Sequence, residues 1–594
     1  MPAAPVRRVR LGAAQVRLER RADGCLLLRS PHALQAYPRR LTERLAHWAR
    51  QAPGRCFIAQ RADDGDWRRL NYAETLARVR SVGQALLDRR LSPERPVAIL
   101  SDNDLEHAVL ALASMHVGIP YVPISSAYSL LSTDHAKLKY VFDLVTPGLV
   151  FVSDGARFAK AIAAAVPSGT EVLVGEDFPV LAATTPTAGV EEAHARVDAE
   201  GIAKFLLTSG STGQPKAVIN TQRMLCSNQQ MLAQSLPSLL DAPPVLVDWL
   251  PWNHTAGGNH NLGLALYNGG TLYIDEGKPV PGLIEKTVRN LREVAPTIYF
   301  NVPRGYAALL PYLREDRELR ANFFSRLGLL QYAAAVLPQP VWRAYEELAL
   351  ESCGERILWI TGYGATETAP AAMFTNRGAA RAGTVGLPVD GVEMKLVPVA
   401  DKLEARFRGP SITPGYWRQP ELSRAAFDEE GYYRTGDALR FVDPEDPVPG
   451  LEFDGRIAED FKLGTGTWVS VGTLRARVNA AGSPFIQDSV ITGHDRAQLG
   501  ALVFPNAAAC AHLTPGELRE KLQKIFQKLI RESTGSSNRI TRVLLLDVPP
   551  SIDAGEITDK GSINQRAVLR NRAALVEKLY SGSADPNLIF AIAE

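Results

Sequence analysis

The chain has 594 residues, and its 66 lysines and arginines nearly balance its 64 aspartates and glutamates, leaving a net charge of +2. This balance argues against a general nucleic-acid-binding protein, because such proteins carry a strong basic excess. Hydrophobic residues make up 46% and charged residues 22% of the chain, which argues against intrinsic disorder as the main state.

The first half of the chain alternates between strand and helix patterns. A short strand near residues 25–28 precedes a helical pattern from Leu41, and Asn71 and Glu74 predict a capping box for a helix that runs to Arg89. Strand patterns also occur at residues 56–60, 68–70, 96–101, 120–124, 149–152, 171–174 and 202–207, with a helix at 104–117. This alternation predicts an α/β fold with a largely parallel sheet.

The later part of the chain has more strand character. Short strand patterns fill residues 393–453, and the sequence Asp-Gly-Arg at 454–456 is followed by a new β-rich stretch through Val478. A helix from Glu517, a strand at 542–546 and a final helix at 563–580 complete the pattern. We therefore predict a large N-terminal domain of α/β sheets with a small β-rich region, residues 1–455, and a smaller, mobile α+β C-terminal domain, residues 456–594.

The cysteines and the N-terminus indicate the compartment. The chain has five cysteines, an odd number with no Cys-x-x-Cys pair, which disfavours a disulfide framework or a structural zinc site. The N-terminus is rich in arginine but lacks the apolar stretch of a secretory signal, and no run approaches 18 apolar residues. We therefore expect a cytoplasmic protein without a membrane span.

A loop of small residues between two apolar strands gives the strongest local signal. Residues 206–218 read LLTSGSTGQPKAV, so backbone N–H groups and hydroxyls can form an anion cradle to which a lysine adds a point charge. It is not a Walker loop, because Pro215 precedes the lysine. A flexible surface loop is the alternative. The predicted phosphate-binding residues are Thr208, Ser209, Gly210, Ser211, Thr212, Gly213 and Lys216.

Three further motifs follow in the chain: GYGATE at residues 362–367, YRTGD at 433–437 and DGR at 454–456. A carboxylate oxygen suits a hard cation, and a pair of glycines lets the backbone approach a nucleotide closely. Together with the loop, these motifs resemble those of the adenylate-forming enzymes, the superfamily of acyl-CoA synthetases, luciferases and peptide-synthetase adenylation domains. The loop departs from the family pattern only at Ala217, where the family has glycine.

The resemblance implies roles for these residues and the use of ATP, Mg²⁺ and CoA. Tyr363 would stack on adenine beside Gly364, Thr366 would bond the α-phosphate, and Glu367 would help hold Mg²⁺. Asp437 would accept hydrogen bonds from the ribose hydroxyls, and Arg456 would reach the ribose. The hinge to the C-terminal domain would lie near residues 456–460, with the exact residue ambiguous by one.

Two supporting segments indicate the acid pocket. The segment Trp252-Asn253-His254 resembles the one that bears the family's pocket aromatic or histidine, which would place His254 at the carboxylate end; a structural histidine is the alternative. Residues 333–338, AAAVLP, resemble the adenine-side loop. The predicted substrate-binding residues are Trp252, His254, Asn259, Tyr332, Ala334 and Gly362. Aromatic and amide groups in this region favour a flat ring with polar substituents over an alkyl tail.

The segment that usually carries the catalytic lysine departs from the family pattern. The position after Gly555 is Glu556, although a cation is expected because a carboxylate must attack an anionic phosphate. One charge at ~4 Å is worth roughly 4 kcal/mol at an effective dielectric constant of ~20, before desolvation. We predict Lys560 as this cation, with a solvated helix-start lysine as the alternative. The predicted catalytic residues are Lys560, Thr212 and His254.

One subgroup shares these departures. Residues 461–472, FKLGTGTWVSVG, together with 554–561, AGEITDKG, resemble the bacterial feruloyl-CoA synthetases. The resemblance implies that the first segment faces the active site during thioester formation, with Lys462, Arg475 and Arg477 as candidate contacts for the CoA phosphates. Ordinary solvated charge is the alternative for each.

The implied activity is a ligase that converts a hydroxycinnamate (ferulate, 4-coumarate or caffeate) into an acyl-adenylate and then a CoA thioester. Its partners would be the acid, ATP and CoA, with no nucleic acid, and a homodimer is one option for its assembly. Three alternatives stay open: a ligase for another aryl or fatty acid, a domain that loads a carrier protein, and a non-catalytic nucleotide-binding regulator.

Overall fold

A computed structural model describes residues 4–209, 214–375, 382–558, 561–581 and 585–591. In chain order the strands are β1 Arg17–Arg20, β2 Leu26–Arg29, β3 Cys56–Arg61, β4 Trp67–Asn71, β5 Val97–Leu100, β6 Tyr121–Ile124, β7 Leu149–Val152, β8 Glu171–Val174, β9 Ile202–Ser209, β10 Pro215–Thr221, β11 Val245–Asp248, β12 Thr271–Ile274, β13 Ile298–Asn301, β14 Leu329–Tyr332, β15 Leu358–Gly364, β16 Ala371–Phe374, β17 Thr384–Pro388, β18 Glu393–Val399, β19 Lys402–Arg408, β20 Tyr433–Phe441, β21 Leu451–Arg456, β22 Phe461–Lys462, β23 Trp468–Val469, β24 Ile486–Thr492, β25 Leu499–Pro505, β26 Ile540–Leu545 and β27 Leu588–Phe590.

The α-helices in the same description are α1 Thr42–Gln51, α2 Tyr72–Asp88, α3 Leu105–Val117, α4 Ala127–Leu130, α5 Ala136–Val145, α6 Gly155–Ala165, α7 Phe178–Ala182, α8 Ala188–Arg196, α9 Gln222–Ser235, α10 Leu262–Asn268, α11 Ile284–Glu293, α12 Pro303–Glu315, α13 Arg317–Ser325, α14 Gln339–Cys353, α15 Pro420–Ala425, α16 Val471–Gly482, α17 Ala507–Cys510, α18 Pro515–Arg531, α19 Gln565–Asn571 and α20 Ala573–Tyr580. One turn of π-helix, Ala256–Asn261, precedes α10. Among these helices, none combines the length and apolarity needed to cross a membrane.

Three sheets form the N-terminal part of the molecule. A six-stranded sheet has the order β10-β9-β6-β5-β7-β8 and is parallel except at its β9–β10 edge. An eleven-stranded sheet runs β1-β2-β18-β19-β20-β21-β17-β16-β15-β14-β13, and a four-stranded sheet runs β11-β12-β3-β4. The predicted α/β fold is confirmed, and the largely parallel arrangement predicted from the strand–helix alternation holds for the six-stranded sheet. The largest sheet includes strands from the later, β-rich part of the sequence and is mainly antiparallel.

The difference in the largest sheet follows from how its strands are connected. Strands β13, β14 and β15 are parallel, and helices α12 to α14 join them. Strands β18 to β21 pair antiparallel with their neighbours. Short connections without a helix join β18 to β19 and β20 to β21, which suits antiparallel pairing, whereas the connection from β19 to β20 contains helix α15. The strand–helix rhythm of the first half of the sequence did not extend to these residues.

Helix α2 shows how local sequence and packing cooperate. The Asn71 side chain accepts a hydrogen bond from the Glu74 N–H, and the Glu74 carboxylate accepts one from Asn71, so the predicted capping box is confirmed. Val79 and Val82 of the same helix are fully buried in the main core. The cap satisfies backbone donors that would otherwise lack partners, and the buried face fixes the helix on the sheet.

The C-terminal part has its own core. The hairpin β22–β23, helix α16 and the sheet β24-β25-β26-β27 surround a cluster that includes Val478, Phe526 and Val543. Two sequence predictions are wrong here. The β-rich stretch through Val478 contains helix α16, and the single final helix is broken at Arg572, whose side chain bonds Glu556 and two backbone carbonyls. The domain boundary at residue 456 stays a prediction.

Candidate active site

The strands β9 and β10 flank the predicted phosphate loop. They pair antiparallel, and Thr208 lies directly opposite Lys216. Ser209 ends β9, whereas Gly210, Ser211, Thr212 and Gly213 lie outside the described residues. The Thr208 Oγ1 atom is buried and has no hydrogen-bond partner within the described ranges. A buried hydroxyl without a partner is costly, so this atom fits a position at which a ligand is bound.

Lys216 begins a chain of three polar groups. Its Nζ atom lies 3.2 Å from the Tyr416 hydroxyl, which donates a 3.0 Å hydrogen bond to Glu367 Oε1. The ammonium also lies 4.4 Å from the centroid of the Tyr416 ring. Burial lowers the pKa of Lys216, and the negative charge of Glu367 partly offsets this effect. The structure therefore brings together the predicted phosphate lysine and the predicted Mg²⁺ ligand.

Tyr416 is a residue that the sequence analysis missed. It is 5% exposed and follows Thr413, whose N–H donates a 2.8 Å hydrogen bond to the backbone oxygen of Glu367. The signal was the short sequence Gly-Tyr-Trp at 415–417, which no strand or helix pattern distinguishes. Only the pairing of residue 413 with the Glu367 turn places this tyrosine between a lysine and an acid.

The segment Gly362–Glu367 is shaped by a close backbone approach. A Cβ atom added to Gly364 would lie 1.6 Å from the Pro370 oxygen, and one added to Gly362 would lie 2.5 Å from the Met373 oxygen. Any larger residue would therefore displace β16 from β15. The chain then makes a short 3₁₀ turn in which Thr366 and Glu367 are each 6% exposed.

Tyr363, Asp437 and Arg456 form a second polar group. The Tyr363 hydroxyl donates a 2.6 Å hydrogen bond to Asp437 Oδ2, and Arg456 Nε lies 3.3 Å from Asp437 Oδ1. Burial raises the pKa of Asp437, although Arg456 and Tyr363 act in the opposite direction. Asp437 Oδ1 has no partner that meets hydrogen-bond geometry in the described part of the chain. This atom fits an acceptor for a ribose hydroxyl.

The predicted acid-pocket residues lie on three different elements. Trp252 is 2% exposed and packs edge-on against His107, with ring centroids 5.1 Å apart. His254 precedes the π-helical turn, and its Nδ1 atom accepts a 3.1 Å hydrogen bond from Ala256 N. Asn259 lies in that turn and donates to Asn220 Oδ1 at 2.8 Å.

Tyr332 and Ala334 lie at the end of β14. Tyr332 is 2% exposed and packs against Trp342 and Trp359, whereas Ala334 is exposed and has a left-handed backbone with φ of 72°. The large aromatic side chains Trp252 and Tyr332 thus belong to the hydrophobic core. Their roles in binding an acid stay predictions.

Polar side chains that the sequence analysis did not single out lie beside the same turn. His260 Nε2 lies 3.1 Å from Gln331 Nε2, and His260 Nδ1 lies 2.8 Å from Asn261 Oδ1. Gln331 Oε1, Asn259 Oδ1 and Trp252 Nε1 are buried without hydrogen-bond partners in the structure's described segments. Gln331 gave little sequence signal, because it lies inside an otherwise apolar strand.

The departure at Glu556 has a structural explanation. Its carboxylate is buried and receives hydrogen bonds of 2.9 and 2.6 Å from Arg572 Nε and Nη2. Burial by itself would raise the pKa of Glu556, but the hydrogen bonds from Arg572 and Ser551 outweigh it and hold this pKa below its usual range. Glu556 is thus tied within the C-terminal part of the molecule and supplies no cation.

Lys560 lies outside the described residues, but the segment before it does not. Thr133 donates hydrogen bonds of 3.0 and 2.8 Å from its backbone N–H and hydroxyl to Asp553 Oδ2. Ile552 packs against the cluster that contains Phe205 and Ala217, on the two strands that flank the phosphate loop. The segment that leads to Lys560 therefore lies against the sheet that carries the loop.

The predicted hinge and CoA contacts lie in the next part of the chain. Asp460 Oδ2 accepts a 2.5 Å hydrogen bond from Lys402 Nζ, and Asp460 Oδ1 accepts one of 2.9 Å from Val471 N. Lys462 is exposed, with its ammonium 5.1 Å from the Trp468 ring centroid. Among the described residues Arg475 is held by Asp488 at 2.6 and 2.9 Å, and Arg477 lies 3.4 Å from Glu532.

Comparison with known families identifies the chain. The AMP-binding enzyme family matches residues 45–417, and the AMP-binding enzyme C-terminal domain matches residues 462–584. The chain belongs to the AMP-binding enzyme family. This confirms the resemblance to the adenylate-forming superfamily.

Relatives of this AMP-binding enzyme include a carboxylic acid reductase and a CoA ligase. The carboxylic acid reductase of Segniliparus rugosus is 24% identical over 585 residues, which cover 87% of this chain and 47% of the reductase. The anthranilate–CoA ligase of Pseudomonas aeruginosa is 30% identical over 302 residues, covering 50% of this chain and 54% of the ligase. The chain spans about half the length of these curated relatives.

Solved structures share the fold. The anthranilate CoA ligase AuaEII in complex with anthranoyl-AMP has a TM-score of 0.73 at 21% identity, covering 92% of this chain and 99% of that one. The A domain of the Segniliparus rugosus carboxylic acid reductase has a TM-score of 0.70 at 20% identity, covering 91% and 94%. These similarities confirm an α/β fold with a large N-terminal and a smaller C-terminal domain.

We expect Tyr416→Phe to lower kcat/KM for Mg·ATP about tenfold. The substitution removes a hydroxyl that contacts Lys216 and donates to the buried Glu367, and an unmet buried acceptor costs roughly 1–3 kcal/mol. Pyrophosphate release at varied Mg·ATP measures the effect. Tyr312→Phe is the matched control, because this tyrosine donates to Glu285 on the surface. An unchanged kcat/KM in Tyr416→Phe would contradict the prediction.

Proposed function

We propose that this AMP-binding enzyme is an acid–CoA ligase that activates a hydroxycinnamate with ATP. The carboxylate attacks the α-phosphate and displaces pyrophosphate, giving an acyl-adenylate, and the CoA thiolate then displaces AMP to form the thioester. The observation that carries the proposal is the Lys216–Tyr416–Glu367 chain. It joins a cation for phosphate and a carboxylate for Mg²⁺ beside the strands of the loop.

The described residues fit the nucleotide. Thr208 and Lys216 would contact phosphate oxygens, and the buried Glu367 carboxylate would help hold Mg²⁺, which offsets phosphate charge when bound. Asp437 would accept a hydrogen bond from a ribose hydroxyl through Oδ1, which lies 3.3 Å from Arg456 Nε and has no partner in hydrogen-bond geometry among the described residues. Thr212 and Lys560 complete the proposed set. Each residue acts by positioning and charge, which is the main contribution of a protein to phosphoryl transfer.

The proposed acid is aromatic with polar substituents. Three buried polar atoms, on Trp252, Asn259 and Gln331, have no hydrogen-bond partner among the described residues and lie on or beside the π-helical turn and β14. An alkyl chain would leave each of them unsatisfied, at a cost of roughly 1–3 kcal/mol per group. A phenolic hydroxyl could donate to Asn259 Oδ1 or Gln331 Oε1, and a hydroxyl or methoxy oxygen could accept from Trp252 Nε1. The anthranilate–CoA ligases among the relatives also act on an aromatic acid, by their names.

The proposed second step uses rotation of the C-terminal domain. Residues 456–594 would turn about the segment near Asp460, which Lys402 holds in the present arrangement. The exposed Lys462 would then meet the CoA phosphates, because Arg475 and Arg477 already have acidic partners. All five cysteines are free thiols, which suits the cytoplasm, where CoA esters are made and used.

The test measures pyrophosphate and AMP release by the purified protein, with and without CoA. The acids are ferulate, 4-coumarate, caffeate, benzoate and octanoate. We expect CoA-dependent AMP release that is fastest on the hydroxycinnamates. Turnover limited to benzoate or octanoate would keep the ligase and overturn the substrate. Pyrophosphate release without a response to CoA would indicate a carrier thiol as acceptor, and silence on every acid would favour the non-catalytic regulator.

A further inference from the structure

We propose that His116, Glu191 and His194 form a binding site for a divalent transition metal ion, with Zn²⁺ as the preferred ion. His116 lies on α3, and the other two residues lie on α8. None of these residues belongs to the nucleotide or acid site described above. The proposal therefore stands independently of the ligase activity.

The two helices bring the three side chains together. Glu191 and His194 are three residues apart on α8, so they lie on the same face of that helix. Their ligand atoms and a ring nitrogen of His116 all lie within 4.8 Å of one another. The two imidazole rings stack, with centroids 4.0 Å apart and planes inclined by 12°. Tetrahedral zinc places its ligand atoms roughly 3.4 Å apart and lies in the plane of each imidazole that binds it, so one of the two rings must turn out of the stack to bind the ion.

His116 provides the observation that points to a ligand. It is 1% exposed, and neither of its ring nitrogens has a hydrogen-bond partner in the ranges the structure describes. His107 and His260 are comparably buried, yet a ring nitrogen of each lies within 3.2 Å of an oxygen acceptor. A buried polar group without a partner is rare, and a metal ion would satisfy one of the His116 nitrogens.

The chemistry of the group suits a borderline cation. Two imidazoles and one carboxylate are a ligand set that zinc uses, with an open fourth position for water. A hard cation such as Mg²⁺ would prefer oxygen ligands.

The surroundings of the site support binding. Thr42 Oγ1 lies 3.2 Å from His194 Nε2, so this hydroxyl can orient the ring and leave Nδ1 for the metal. Arg80 lies 2.8 Å from Glu191, but both side chains are about half exposed, so the carboxylate can exchange partners at little cost. A groove of about 780 Å³, lined in part by these three residues, gives an ion a path from solvent.

The test is zinc binding by the untagged full-length protein after removal of metal with a chelator. We expect isothermal titration with ZnCl₂ to show one site per chain, and CoCl₂ to give visible absorption bands of tetrahedral cobalt. Glu191→Gln and His194→Gln should each weaken zinc binding at least tenfold, which is about the effect of losing a metal contact. Glu191 is exposed, so its substitution leaves folding intact.

Glu192→Gln is the matched control, because Glu192 is also exposed on α8 and pairs only with Arg196 among the described residues. Its zinc affinity should equal that of the unsubstituted protein. Equal zinc affinity in Glu191→Gln, His194→Gln and the control would overturn the proposal, and so would the absence of zinc binding in the unsubstituted protein. The rate of AMP release in all three variants should stay within about twofold of the rate of the unsubstituted protein. Loss of ligase activity and loss of zinc binding can therefore be distinguished.

Discussion

Lys560→Ala is expected to slow acyl-adenylate formation by about two to three orders of magnitude, because we propose this lysine as the cation that offsets the charge of the attacked phosphate. Loss of one preorganised group that stabilises developing charge costs about 10²–10³ in rate. The second half-reaction, in which CoA attacks a supplied acyl-adenylate, should change less than about threefold, since the phosphate charge is then already compensated by other groups. Single-turnover pyrophosphate and thioester formation measure the two steps.

The structure supports this expectation through the neighbours of Lys560. In the segment before Lys560, Asp553 accepts a hydrogen bond from Thr133, and Ile552 packs against the cluster that contains residues of strands β9 and β10. Thr558 N, before Lys560 in the chain, donates a 2.9 Å hydrogen bond to Ser562 O, which follows it. Glu556, in the same segment, is engaged with Arg572. We therefore propose Lys560 as the lysine that this segment contributes to the nucleotide site.

The control for Lys560→Ala is Lys524→Ala. Lys524 lies on α18 with a 71% exposed side chain and pairs with Glu520 at 2.6 Å, so its loss should leave both half-reactions unchanged. Equal loss of the two half-reactions in Lys560→Ala, or no loss in either, would show that this lysine is not the adenylation cation. No loss in either half-reaction would favour the non-catalytic nucleotide-binding regulator only if the unsubstituted protein were also inactive.

The sequence predicted those parts of the fold that local patterns determine. The capping box at Asn71 and Glu74 and the strands beside the phosphate loop depend on neighbouring residues, so spacing alone located them. The order of strands in the eleven-stranded sheet depends on pairing between distant segments, such as β2 with β18, which periodicity does not encode. The sequence therefore indicated a β-rich region there, but not the order or direction of its strands.

In the candidate site, too, the sequence indicated residues that lie in local motifs but not those that only the tertiary fold brings together. Lys216, Glu367 and Asp437 lie in short motifs, so the sequence indicated them, whereas Tyr416 joins two of them only through the tertiary fold. The same holds for His116 and His194, which are separated by 78 residues along the chain and meet because α3 packs on α8. Side chains that act through a long-range contact leave no local signal.

Replacing Glu556, the buried partner of Arg572, is expected to lower the free energy of unfolding far more than breaking an exposed ion pair. Glu556→Ala leaves the Arg572 guanidinium, 10% exposed, with the backbone carbonyls of residues 548 and 549 and the Phe504 ring as its described partners, and with no described acidic partner. Breaking a buried ion pair by removing one member costs about 3–5 kcal/mol, because the remaining charge is uncompensated. Urea unfolding followed by circular dichroism measures the loss. Glu577→Ala, which breaks an exposed pair with Arg496, should cost about 1 kcal/mol or less.

The pH dependence of stability provides a second test of the same pair. The pKa of Glu556 is below its ordinary value of 4.5 in the folded protein, so its stabilising contribution is complete above pH 4.5. It is lost as the pH falls through the folded-state pKa, where the carboxylate takes up a proton. The difference in unfolding free energy between the unsubstituted protein and Glu556→Ala should therefore shrink below pH 4.5. A difference that is constant from pH 7 down to pH 3 would mean that packing, and not charge, makes Glu556 necessary.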